Sequence, residues 1–268
     1  NVVTNLRQLD RDSKITIVGV VGEDEAGEKV LDLLDEAGVS TQTVSRVSDF
    51  KTTVKTRIVA GNKQIVRLDT QSNMDVSGDL ISFPENFDVI IFSDYDYGVI
   101  NKDIIQTLVT TNAVTVADPK RKNFWNYGGV DIFKPNQKEL WQGLTQKFTT
   151  QTLALNEISS DDVPVMLDEL RRLMVCDKYL VTAGRDGMVS YDSISDRWTV
   201  VSSDALEVCD VTGAGDTVTA VLADCVAEGM DFANAVRIAN SAAGMVVGDF
   251  GCSYVSEDQI RSLKNGYN

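Results

Sequence analysis

Histidine is absent from all 268 residues. That single absence removes His-assisted serine or cysteine hydrolysis and every His-ligated metal site, so acid–base work falls to carboxylates, Lys, Tyr or Cys. Cysteine is scarce: Cys176, Cys209, Cys225 and Cys252 stand singly, a spacing that suits buried, reduced thiols and gives neither a zinc knuckle nor a disulfide framework. Basic residues are outnumbered 25 to 40 by acidic ones, leaving a net charge of -15 and a pI near 4.4. A surface of that sign repels phosphate backbones and anionic lipids, which argues against nucleic acid and membrane partners. No run approaches the roughly 18 to 20 apolar residues of a membrane span. Nothing reads as a signal peptide, so a cytoplasmic setting is expected. Repeats, low-complexity tracts and long linkers are also missing. With 43% hydrophobic content, the expectation is one domain over residues 1–268.

What is present alternates between two periods. Ile15 to Gly22 is a short apolar run ending in glycine, followed by helical spacing from Glu25 to Ala37 that Gly38 stops. From Thr52 to Asp69 apolar and polar residues alternate around Gly61-Asn62, which predicts a β-hairpin outside the main sheet, about residues 51–70. Strand-like runs recur at Val89–Ser93, Val114–Asp118, Val130–Lys134 and Tyr179–Thr182, separated by helical spacing at Lys102–Thr111 and Val163–Met174. Strands alternating with helices imply an α/β fold with a parallel sheet covered on both faces. Two tightly packed helices are expected over Thr217–Glu228 and Phe232–Val247. Asn1 to Leu9 reads as a helix already under way with no capping residue ahead of it, so residues are expected to precede Asn1.

The segment with chemical content is Gly213-Ala214-Gly215-Asp216, just ahead of the apolar helix. A glycine-rich turn opening a helix leaves N–H groups without partners and sets the positive end of the helix dipole there, which favours phosphate. A carboxylate at the same point is repelled by phosphate unless it has work there, such as accepting a hydroxyl proton. The alternative is that Asp216 caps the helix and the glycines only turn the chain. Neither a Gly-Lys-Ser/Thr loop nor a dinucleotide fingerprint is present.

These residues resemble a known family. Asp210-Val211-Thr212-Gly213-Ala214-Gly215-Asp216 looks like the carboxy-terminal signature of the PfkB, or ribokinase-like, carbohydrate kinases. Three further stretches agree in order. Lys134-Pro135-Asn136-Gln137-Lys138-Glu139 resembles the family's Asn-x-x-Glu element, Val181 to Gly187 its nucleotide loop, and Ala239 to Gly244 its adenine-flanking helix. Within the family the likeness is strongest to the kinase domain of bifunctional ADP-heptose synthase, through Lys55–Val59, Ile65–Asp69, Ser93-Asp94-Tyr95, Ala117–Lys120 and Gly248–Ser253.

The resemblance implies a three-layer α/β/α fold with a mostly parallel sheet and a small β lid, and transfer of the γ-phosphate of ATP to a sugar. Asp216 would be the base, and the N–H groups of Gly213, Ala214 and Gly215 the anion cradle. Asn136, Thr182, Gly184, Gly187, Asn240 and Ala243 would meet the nucleotide. Asn136 and Glu139 would hold Mg2+ through water, and Asp210 and Thr212 are candidates for a K+ site. Asn1, Lys55, Arg57, Arg67, Asp94 and Lys120 would meet the acceptor, since arginine binds phosphate through paired hydrogen bonds. Without such roles these would be a turn Asn, a solvated helix Glu and an ordinary solvated strand face. The acceptor that follows is D-glycero-D-manno-heptose 7-phosphate at its anomeric hydroxyl; a ketose phosphate, a free sugar or a nucleoside stays open, as does a silent nucleotide-binding protein. One departure counts against heptose: the related kinases carry Lys where this chain has Tyr97. A projecting hairpin with a free edge also predicts a homodimer.

Overall fold

The computed structural model describes residues 1–10, 12–61, 63–72, 76, 81, 83, 86–147, 159–203, 213–247 and 254–267. In chain order come α1 (Val2–Leu9), β1 (Gly19–Gly22), α2 (Glu25–Glu36), β2 (Val44–Val47), β3 (Val54–Ala60) and β4 (Lys63–Thr70). Then follow β5 (Val89–Ser93), α3 (Lys102–Leu108), β6 (Val114–Asp118), β7 (Ile132–Phe133) and α4 (Gln137–Lys147). The last are α5 (Val163–Leu173), β8 (Lys178–Thr182), β9 (Met188–Asp192), β10 (Arg197–Val201), α6 (Ala214–Ala227), α7 (Phe232–Val246) and α8 (Glu257–Asn265). They fall into two compact units, one of Asn1–Ser13, Asn86–Asp96 and Lys102–Asn268, the other of Lys14–Glu85 and Tyr97–Asn101.

The larger unit is built on a six-stranded sheet in the order β10-β9-β8-β7-β6-β5. β5 to β8 run parallel, and β9 and β10 extend the sheet antiparallel. Because side chains alternate along a strand, Val116, Ile132, Leu180 and Met188 face a core shared with α1, α6, α7 and α8. Phe133, next to Ile132, points the other way and packs edge-on to Phe124 with ring centroids 5.0 Å apart. On that side α4 and α5 lie against β8. The result is three layers, helices on both faces of a mostly parallel sheet. Ile132, Leu180 and Val221 are at most 1% exposed, and burying each such side chain contributes about 1.5 to 3 kcal/mol. Lys264 of α8 bonds both Asp224 of α6 and Glu228 just after that helix at 2.7 Å, which fixes the last helix.

In the smaller unit β1 and β2 pair in parallel across the α2 crossover. The Ile15–Gly22 run is expected to be strand throughout; the ladder covers only Gly19–Gly22, with a single bridge from Thr16 to Ser40. Asp24 caps α2 by accepting from the Gly27 N–H at 2.8 Å, and its other oxygen accepts from the Thr52 N–H at 3.0 Å. The helix start is thereby tied to the chain that enters the hairpin.

That hairpin, β3 with β4, forms its own two-stranded sheet. Ile58 stands opposite Val66, and Val54 and Leu68 share their face. All four are 41% to 56% exposed. The other face is charged: Arg57 stands opposite Arg67 and Lys55 opposite Asp69. Like charges directly opposite each other destabilise a strand pair. Asp69 offsets this by receiving Arg67 through two hydrogen bonds of 2.7 and 2.9 Å. Among the described residues no helix is long and apolar enough to cross a membrane.

Candidate active site

Helix α6 opens the site. Helical spacing in the sequence starts it near Thr217, whereas the structure starts it at Ala214 because Gly213 takes the cap position with φ 88. Glycine reaches that left-handed conformation without steric cost. Gly215 and Asp216 therefore lie in the first turn, whose N–H groups have no partners inside the helix. The capping alternative for Asp216 fails on position, since Gly213 holds the cap. Asp216 Oδ1 instead accepts from Tyr95 Oη at 3.1 Å. Thr217 fastens the turn, its hydroxyl lying 3.1 Å from Asn5 Oδ1 of α1 and 3.3 Å from the Gly213 carbonyl.

Facing this turn is a cavity of about 190 Å³ lined by the carboxyl ends of β5, β6 and β8, the segment after β7, and the start of α6. Parallel sheets place ligand crevices there. Of the residues expected from the sequence, Asp94, Lys120, Asn136, Thr182, Gly213, Gly215 and Asp216 line it. Tyr95, Asp118 and Lys134 line it too and were not among the expected site residues.

Lys134 is the buried cation of this wall. Its ammonium lies 3.2 Å from Asp118 Oδ1, with side-chain exposures of 3% and 14%. Thr219 of α6 reaches the same carboxylate at 3.4 Å. Burial raises the Asp118 carboxyl above its ordinary range, against the pull of Lys134 and Lys120. Lys120 is ion-paired to Glu139. Burial disfavours the Lys120 ammonium, but Glu139 and Asp118 outweigh it and hold the amine above its usual value.

Asn136 and Glu139 form a reciprocal cap at the start of α4. The Asn136 N–H donates to Glu139 Oε2 and the Glu139 N–H to Asn136 Oδ1, both at 2.8 Å. Asn136 thus turns the chain into α4, while Glu139, with a side chain only 11% exposed, is ion-paired to Lys120 rather than solvated. The two side chains are already fixed in place, with Asn136 at the cavity wall. Lone pairs left over on such side chains suit a hydrated Mg2+, which keeps several of its waters. Asp94, only 3% exposed, accepts from Tyr127 Oη at 2.9 Å, Asn123 Nδ2 at 3.1 Å and the Asp96 N–H at 2.9 Å. Its carboxylate pins the chain leaving β5, and the residue lines the cavity.

Gly184, Gly187, Asn240, Ala243 and Asn1 are not among the residues that line the cavity. Gly184 and Gly187 shape the turn from β8 to β9. At Gly187 φ is 92, and a Cβ would stand 2.0 Å from the Val201 carbonyl oxygen, so no side chain fits. Asn240 is 3% exposed and donates to the Ser202 carbonyl at 2.8 Å. Ala243 lies on the same helix, α7. Asn1 precedes α1, and its carbonyl accepts from Asn5 at 2.9 and 3.0 Å. Lys55, Arg57 and Arg67 belong to the hairpin of the smaller unit, where the Lys55 ammonium lies 5.5 Å from the Tyr97 ring centroid. Asp210 and Thr212 lie outside the described residues.

Comparison with known proteins adds to this geometry. The model of the pfkB family carbohydrate kinases matches residues 1–259. A "Bifunctional protein HldE" of Campylobacter fetus is 34% identical over 275 residues, covering 99% of this chain and 57% of that protein. The chain thus spans little more than half the length of this curated relative. Among solved structures, a ribokinase of Thermotoga maritima is similar with a TM-score of 0.77 at 16% identity, covering 98% of this chain and 85% of its own. Arabidopsis thaliana ribokinase complexed with ribose and ATP gives a TM-score of 0.76 at 19% identity, with the same coverages. These two show the fold, which is ribokinase-like. On the family match and the identity across nearly its whole length, the chain belongs to the pfkB family of carbohydrate kinases, ATP-dependent phosphotransferases.

Proposed function

We propose that this chain transfers the γ-phosphoryl group of ATP to a sugar phosphate, with the anomeric hydroxyl of D-glycero-D-manno-heptose 7-phosphate as the acceptor. The observation that carries the reading is that the Asp216 carboxylate and the open N-terminal turn of α6 share one cavity. As the acceptor oxygen bonds to the γ-phosphorus, its proton passes to Asp216, and the bond from that phosphorus to the β-phosphate oxygen breaks to leave ADP. The N–H groups of Gly213, Ala214 and Gly215 and the Lys134 ammonium donate to the phosphoryl oxygens as charge spreads over them. Mg2+, held through water by Asn136 and Glu139, would neutralise the β- and γ-phosphates.

The heptose acceptor rests on the likeness of the hairpin and the Ser93–Tyr95 stretch to the heptose kinases. Tyr97 replaces their lysine, but Lys55 brings an ammonium to its ring, so a cation for a second phosphate is kept nearby. Arg67, paired to Asp69, would exchange that carboxylate for phosphate. A panel of sugars with and without a phosphate group tests this: ATP turnover is expected with heptose 7-phosphate and not with free hexoses. Turnover confined to unphosphorylated acceptors would remove the role given to Lys55, Arg57 and Arg67.

The apolar face of Val54, Ile58, Val66 and Leu68 supports a homodimer, since two copies of one hairpin face are self-complementary about a two-fold axis. Ile58→Asp is expected to convert a dimer to a monomer in light scattering; wild-type protein that is monomeric at working concentration excludes this assembly.

A further inference from the structure

Tyr95 takes no part in the chemistry proposed above, yet its hydroxyl is the group set directly against the base. It donates to Asp216 Oδ1 at 3.1 Å across 121 residues of chain. The backbone that carries it is fixed on both sides. Before it, Asp94 is held by Tyr127, Asn123 and the Asp96 N–H, and its own N–H donates to the Asp118 carbonyl at 3.2 Å. After it, Asp96 adopts φ 60, a conformation residues with a Cβ rarely take, and its carboxylate receives the Lys122 N–H at 3.3 and 3.4 Å. Strained residues persist where their surroundings over-determine them, and they gather at functional sites. Tyr95 is therefore aimed. Burial, then the charge and hydrogen bond of Asp216, raise its phenol well above the ordinary range. The hydroxyl keeps its proton at neutral pH and cannot itself compete for the acceptor's.

A carboxylate in the first turn of a helix has several rotamers open to it, and only some point an oxygen at the acceptor. We propose that Tyr95 is a positioning residue for the base: by donating to Oδ1 it selects one rotamer of Asp216 and presents Oδ2 to the acceptor hydroxyl. This rests on Asp216 being the base, and the experiment keeps the two claims separate.

Four proteins decide it: wild type, Tyr95→Phe, Asp216→Asn and the double variant, each assayed for kcat and for KM of ATP and acceptor. A hydrogen bond to a charged group is worth about 10- to 100-fold, so Tyr95→Phe is expected to lower kcat by that factor with both KM values nearly unchanged. In the Asp216→Asn background the same change is expected to cost nothing, because residues that act as a unit are non-additive. Equal losses in both backgrounds, a raised acceptor KM at unchanged kcat, or wild-type rates in Tyr95→Phe would each overturn the proposal while leaving the base in place. Full turnover by Asp216→Asn alone removes the base instead. The ring is 44% exposed, so loss of its hydroxyl should leave packing intact, which thermal melting checks. If Phe is not tolerated, Tyr95→Gln against Tyr95→Leu carries the test, since Gln keeps a donor and should recover part of the rate.

Discussion

Asp216→Ala is expected to lower kcat by about 10²- to 10⁴-fold, the usual contribution of a general base, while nucleotide affinity measured by calorimetry should stay within a few-fold of wild type. The two readouts separate because the helix does not depend on this side chain. Gly213 supplies the cap and alanine is the best helix former. The loss of a negative charge from the first turn costs only about 0.3 to 1 kcal/mol of stability. A folded protein that binds nucleotide and no longer transfers phosphate is the expected outcome. Unchanged turnover would take Asp216 out of the reaction.

Lys134→Met has a different signature, with stability and activity falling together. Breaking a buried pair by removing one partner costs about 3 to 5 kcal/mol, because the other charge is stranded. Here the stranded group is Asp118, whose carboxyl burial already raises. The direction with pH follows from that. A carboxyl with a folded-state pKa above its unfolded value binds protons more readily when folded, so its penalty is full above the folded pKa and fades as pH falls through it. Without Lys134 that pKa climbs further. The stability gap between variant and wild type in denaturant titrations is therefore expected to be smaller at pH 5 than at pH 7. A gap that does not move with pH would place the loss in the packing of the lysine stem.

Much of the fold was legible because period and burial agree. The runs at Val89–Ser93 and Val114–Asp118 are strands to the residue, being short, apolar and rich in branched side chains. The start of α6 was not, since helical spacing carries no trace of the left-handed φ at Gly213 that lets the helix begin three residues early. Within the site, motif residues close in sequence were found together: Asn136 with Glu139, Gly213 with Asp216. Tyr95 and the Asp118–Lys134 pair were missed because sheet order, not spacing, brings them together. A signal existed all the same. Asp118 and Lys134 each end an apolar strand-like run with an ionisable group, and the carboxyl ends of parallel strands are where ligand crevices form. Asn240, expected at the nucleotide, donates its amide to the Ser202 carbonyl, a contact that only the fold brings about.

The charges on the cavity wall bear on which form of nucleotide can enter. Among the described residues that line the cavity, Asp94, Asp118 and Asp216 outnumber Lys120 and Lys134 by one, inside a chain whose net charge is -15. A bare triphosphate would meet repulsion at the mouth and again at the floor. On the proposed function, a triphosphate whose charge is already halved by a divalent ion would meet much less, so the ion is expected to enter as part of the ligand. Free ATP in excess over metal is then expected to compete poorly for the site.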